Sequence, residues 1–311
     1  MILRQAVPMT RLFVSLISGL ALLRTLGAMT QADEATAFAA PPAVFESSRI
    51  VVESRGRGPD VILIPGLAST ADVWSRAASR LDDNHRVHLV SIRGFGDVPA
   101  RTNADGALIA PVAGEIERYI EQANLIRPAL VGHSMGGLVA LKIASDRRQE
   151  IGRVMVVDAA PFFPALISPT ARSSDVEPVA RIAYQALLFF GDEALRGQAA
   201  VAGGQLGEAA DEMFRAMGWQ GGNRATLAQG LYEVMTTDLR PILPRITAPV
   251  TVVYGRSRNP SSPRAASDAP FRTAYANLAL PATYVPIDGA EHMIMIDQPT
   301  RFQAALDMFL R

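Results

Sequence analysis

Residues 130–137 read LVGHSMGG, and the conformation of this octapeptide decides the fold. An apolar run, PALV at 128–131, leads into it, and GGLVALKIAS at 136–145 carries on with helical character. The stretch therefore reads as strand, tight corner and helix, with Ser134 at the corner. Gly132-His133-Ser134-Met135-Gly136 fits the G-x-S-x-G pattern, in which small flanking residues let backbone pass close by while the serine stands out. A helix starting just behind Ser134 also offers the positive end of its dipole to negative charge developing there. Glycines and a serine in a bare turn would carry no chemistry. The strand before and the helix after single out Ser134 as a candidate nucleophile.

Outward from this corner the same rhythm repeats. β-branched runs at 49–54 (RIVVES), 60–66 (DVILIPG), 85–92 (HRVHLVSI), 153–159 (RVMVVDA), 249–255 (PVTVVYG) and 282–289 (ATYVPIDG) read as further strands. The first two are joined by the turn-forming RGRGP, and 112–125 (VAGEIERYIEQANL) has apolar residues at helical spacing. Short strands alternating with helices predict an α/β protein with a mostly parallel central sheet flanked by helices. Residues 162–243 break the rhythm: they are helical in pattern, without a strand or a repeat, and read as a helical cap inserted into a core of 40–161 and 244–311.

Composition bounds the rest. The 311 residues are 49% hydrophobic and 19% charged with zero net charge, so a substantial core is expected and no basic footprint for nucleic acid is present. The chain has no cysteine, which excludes disulfides, thiolate chemistry, iron–sulfur clusters and a lipid-anchored cysteine. Residues 1–39 carry Arg4 and Arg11 ahead of an apolar run at 12–23, and then small residues. That length suits a signal peptide and is short for a spanning helix, so export to the periplasm or beyond is expected. Cleavage would follow 30–32 or 37–39. Membrane contact would come only through this segment if it stays uncleaved, and a cytoplasmic location would follow if it is not a signal.

An activated serine needs a base, and the histidines are His85, His88, His133 and His292. The first two precede or begin a strand and so belong at the end of the sheet away from the corner. His133 is Ser134's own neighbour and is expected to pack or hydrogen-bond nearby. His292, in a Gly-Ala loop after the last strand, remains as the base. For an oxyanion, the N–H of Met135 follows the nucleophile, and the N–H of Leu67 lies in the loop after DVILIPG.

LIPGLAST, GHSMGG and DGAEHMIMIDQP together resemble the α/β-hydrolase superfamily, in its serine-nucleophile branch with a helical cap. The chain order of Ser before His is the one this resemblance implies. The family usually places its triad Asp just after the strand that here reads PVTVVYG, but Asn259-Pro260 stands at that point. An asparagine can orient an imidazole but cannot stabilise an imidazolium by charge. Asp158, at the end of the preceding strand, is a position some superfamily members use and is the favoured acid. Asp268 and Asn259 stay open, and Asp288 and Asp297 are expected to cap turns.

The resemblance implies a serine hydrolase cleaving an ester or lactone, and it implies no metal or cofactor; the Phe, Leu and Met of PFFPALI, YQALLFF and MFRAM in the cap suit small apolar acyl groups. Two alternatives remain open. One is a C–C bond hydrolase of ring-cleavage products with the same triad, and the other a ligand-binding protein that has lost turnover. The fold does not specify a substrate.

Overall fold

A computed structural model describes residues 43–201, 218–257 and 268–311. The expected N-terminal segment 1–39 and Asn259 lie outside the described residues.

The strands are β1 (Ala43–Glu46), β2 (Ile50–Gly56), β3 (Asp60–Ile64), β4 (Arg86–Ile92), β5 (Ala129–His133), β6 (Arg153–Val157), β7 (Val250–Arg256) and β8 (Thr283–Asp288). They form one eight-stranded sheet in the order β1-β2-β4-β3-β5-β6-β7-β8. Pairs β1–β2 and β2–β4 are antiparallel, and every other neighbouring pair is parallel. β1 is the one described strand absent from the sequence reading. It has four residues, AVFE, at the sheet edge, where Val44 is exposed, too short a run for alternation to register.

β3, β5 and β6 are almost continuously buried. This is the pattern of strands covered on both faces, and it explains why they read as unbroken apolar runs. Alternate residues serve opposite cores. Ile62, Ile64, Val90, Leu130 and Val156 face one side, with α2 (Ile109–Gln122) and α3 (Met135–Asp146). Val61, Leu63, Val87, Val131 and Val157 face the other, with α1 (Ser75–Leu81) and α8 (Pro299–Leu310). α2 buries Ile109, Val112, Ala113, Ile116, Tyr119 and Ile120, a stripe at three- and four-residue spacing as an amphipathic helix requires.

Between β6 and β7 lie α4 (Ser173–Val201) and α5 (Arg224–Thr236). The helical pattern of α4 is interrupted at Gly191, with φ 72° and ψ 167°, a conformation open essentially to glycine alone. After β7 come α6 (Ala269–Ala274), β8, α7 (Ile294–Asp297) and α8. The C-terminal ends of the parallel strands β3, β5 and β6 therefore carry the loops holding Leu67, Ser134 and Asp158, and the loop after β8 holds His292. That is the edge at which ligands bind in open α/β sheets.

Candidate active site

Ser134 sits between the last residue of β5 and the first of α3, with φ 52° and ψ −120°. A non-glycine residue held at positive φ is strained, and the surroundings must enforce it. Here they do. Ser134 N–H donates to Val157 O at 3.0 Å, and its carbonyl accepts from Gly137 N–H at 2.8 Å. A methyl group on Gly132 would lie 2.2 Å from Gly136 O, and one on Gly136 would lie 2.4 Å from Ile64 O. Both flanking glycines are thus sterically required. Ser134 is 7% exposed, at the N-terminal end of α3 with the helix dipole behind it.

The loop after β3 runs against this corner. A methyl group on Gly66 would meet His133 Nδ1 at 2.9 Å and Ser134 Cβ at 3.0 Å, so Gly66-Leu67 lies alongside the serine. Met135 opens α3, and its N–H is among the first four of the helix, which have no carbonyl partner within it.

On the other flank, His292 Nδ1 lies 2.6 Å from Asp158 Oδ2. The carboxylate can only accept, so Nδ1 carries the proton and Nε2 is left to take one. Asp158 follows β6 with φ 47°, is 1% exposed, and donates its own N–H to Val253 O at 2.7 Å. Its Oδ1 accepts from Gly255 N–H at 3.3 Å, so a buried carboxylate has partners on both oxygens. The neighbouring Tyr275 is fully buried and donates to Ala159 O at 2.9 Å. Burial above all, and then the carboxylates and phenols near it such as Tyr284 and Asp158, push its hydroxyl well above the usual value of 10.0.

The other candidate acids are engaged elsewhere. Asp268 accepts from Arg256 Nη2 at 2.6 Å and Nε at 3.0 Å, and this guanidinium holds its carboxyl below the usual 3.8. Asp288 pairs with the same arginine at 3.4 Å. Asp297 accepts from Glu291 N–H at 2.9 Å, and burial raises its carboxyl.

His292 is tied to the serine corner through His133. His133 Nε2 lies 3.0 Å from the His292 carbonyl, and the two rings are 4.6 Å apart. His133 also meets Trp74 edge-on at 6.5 Å, and Trp74 is fully buried against Phe302. Trp74 is therefore a core residue. His88 lies away from this cluster, bonded to Tyr119 Oη at 2.6 Å and Asp60 Oδ1 at 3.0 Å. Asp60 lies on the neighbouring strand β3, so the pairing joins residues 28 positions apart. Among the described residues no group of three or more His, Cys, Asp or Glu side chains could hold a metal ion.

Two parts of the 162–243 region cover the loops beside Ser134. Residues 218–223 are bonded by backbone to the loops after β3 and β4: Gln220 N–H to Ala68 O at 2.7 Å, Gly96 N–H to Gly221 O at 3.0 Å, and Asn223 N–H to Gly94 O at 2.8 Å. α5 presses on the β3 loop at Gly230, where a methyl group would lie 2.5 Å from Leu67 Cδ1 and 3.7 Å from Met135 Sδ. Local sequence gave no sign of these contacts, nor of His133 Nε2 reaching the His292 loop, because each joins distant segments.

A strained serine at a strand-to-helix corner, with an imidazole–carboxylate pair on neighbouring loops of one parallel sheet, is the arrangement of the α/β-hydrolase class. The chain belongs to the alpha/beta hydrolase family, whose profile matches residues 61–305. Among curated proteins it is 26% identical over 276 residues to the pimeloyl-[acyl-carrier protein] methyl ester esterase of Aeromonas salmonicida, covering 84% of this chain and 99% of that one. Among solved structures it resembles the enol-lactonase from Burkholderia xenovorans LB400 (21% identity, TM-score 0.62, 87% and 99% of the two chains). It also resembles a thermophilic esterase from Thermogutta terrifontis (18% identity, TM-score 0.66, 88% and 98%). At these identities the two structures speak for the fold.

Proposed function

We propose that this chain is a serine hydrolase that cleaves carboxylic esters or lactones through an acyl-enzyme. The observation carrying this reading is the 2.6 Å contact between His292 and buried Asp158, on a loop tied by His133 to the strained Ser134 corner. Ser134 Oγ attacks the substrate carbonyl carbon while its proton passes to His292 Nε2. The carbonyl oxygen becomes an oxyanion facing the N–H groups of Leu67 and Met135. Collapse of the tetrahedral intermediate breaks the acyl–oxygen bond, and the leaving alkoxide takes the proton from His292. Water then repeats the sequence on the acyl-enzyme and releases the carboxylic acid. Asp158 holds the Nδ1–H tautomer and offsets the imidazolium charge while His292 carries the extra proton.

The methyl ester cleaved by the Aeromonas relative supports ester chemistry, and no metal or cofactor enters any step. The acyl partner we propose is small and apolar. Export by residues 1–39 would place this chemistry outside the cytoplasm. Asn259 at the usual acid position speaks for a binding protein without turnover, and Asp158 beside His292 speaks for an enzyme instead. A C–C hydrolase would use the same residues, and no distance in the site favours it over ester cleavage. A fluorophosphonate probe tests the nucleophile: one adduct per chain, located on Ser134 by peptide mass spectrometry, is expected. Absence of an adduct, or one on another residue, would overturn the assignment.

A further inference from the structure

We infer that His133, beyond filling the corner next to the nucleophile, is a positioning residue for His292. This rests on the serine-hydrolase reading above. A backbone carbonyl only accepts, so at 3.0 Å from His292 O His133 Nε2 carries the proton and donates it there. His292 is thereby held at two points, its Nδ1 by Asp158 and its main chain by His133. The second hold matters because the two anchors come from different strands. Asp158 follows β6, whereas His133 is the last residue of β5 and is bonded directly to Ser134. Asp158 alone would fix the ring relative to β6. His133 fixes the His292 loop relative to the nucleophile itself, which is the separation the proton must cross.

His133 is suited to this because it cannot move. It is fully buried, with Trp74 edge-on at 6.5 Å and the His292 ring at 4.6 Å. Gly66 packs so close that a methyl group there would approach Nδ1 to 2.9 Å. Its N–H is therefore presented at one angle by a rigid wall, and it also closes a hydrogen bond for a carbonyl in an irregular loop.

Two variants of nearly equal length separate the donor from the ring: His133→Gln keeps an N–H and His133→Met does not. With an activated ester such as p-nitrophenyl butyrate, His133→Met is expected to lose about 10- to 100-fold in kcat at unchanged KM, the scale of a small misplacement of reacting groups. His133→Gln should recover most of that loss. The low-field proton resonance of His292 Nδ1–H should shift or broaden in the Met variant and stay in place in the Gln variant. Equal kcat in the two variants, whether high or low, would overturn the proposal, because the donor would then not matter.

The wild-type chain gives a readout that needs neither folding of a variant nor turnover. Its 15N shifts should show His133 as the Nε2–H tautomer, and the Nδ1–H tautomer would overturn the assignment. Wild-type protein that hydrolyses no ester would count against the hydrolase reading, while the tautomer would still decide whether His133 holds His292.

Discussion

Ser134, His292 and Asp158 stand on unequal sequence footing, and the difference is physical. The Ser134 corner announces itself because its constraint is local: two glycines, a strand and a helix within about a dozen residues are what a G-x-S-x-G corner needs. His292 follows from its place in a loop after the last strand. The acid was not decided, since Asp158 and His292 are 134 positions apart and their meeting depends on which strands are neighbours. The structure separates the candidates by partner: Asp158 faces His292, and Asp268 faces Arg256. Asp158→Asn should therefore lower kcat by about 10²- to 10⁴-fold with little change in KM, since a neutral amide can neither fix the Nδ1–H tautomer nor offset imidazolium charge. Asp268→Asn should leave kcat within about twofold, as expected for loss of a partly exposed ion pair away from the chemistry. Steady-state kinetics on one ester decides both. If the Asp268 variant fell and the Asp158 variant did not, the assignment of the acid would be reversed.

Elements carry information the single residues do not. The alternation of strands and helices was legible because each buried strand is a continuous apolar run and α2 bears a regular stripe. What holds helix to helix was not legible. Leu108 precedes α2 without a side-chain cap, and the exposed amides of that helix are met instead by Glu233 of α5. Its two carboxylate oxygens each accept at 2.7 Å, from Leu108 N–H and Ile109 N–H, and Gln229 Nε2 donates to the same side chain at 2.6 Å. An anion at a helix N-terminus also complements the dipole. A cap usually comes from a neighbouring residue, and one supplied from 124 positions away leaves no mark in the sequence near α2. Glu233→Ala should cost about 1–2 kcal/mol of stability, the range for loss of an N-terminal cap, read as a lower urea midpoint with an unchanged slope. An unchanged midpoint would mean that water replaces the carboxylate without penalty.

At the scale of the whole molecule, the edge that holds Ser134, His292 and Asp158 is set apart from a second buried polar cluster. His88 of β4 bonds to Asp60 at the start of β3 and to Tyr119 of α2, with Arg86 of β4 donating to Asp60 at 2.5 Å. Burial lowers His88 below its ordinary 6.5 and lowers His85 likewise. The unfolded chain therefore binds more protons than the folded one as pH falls below 6.5, and stability declines over that range. For Asp60, burial pushes the carboxyl up, but the hydrogen bonds from Arg86 and His88 outweigh it and hold it below 3.8. Its contribution is lost only in stronger acid. The urea midpoint should fall between about pH 8 and about pH 5, before the carboxylates titrate. A midpoint that rises across that interval would show that His88 is readily charged in the folded state. All of this serves one arrangement, a rigid sheet that delivers Ser134, His292 and Asp158 to one edge. The most direct test is hydrolysis of a series of p-nitrophenyl esters of increasing acyl length by the wild-type chain and by Ser134→Ala. Wild-type turnover that is greatest on the shorter chains and falls by several orders of magnitude in the variant is the predicted result. Equal turnover by the two, or none by correctly folded wild type, would contradict it.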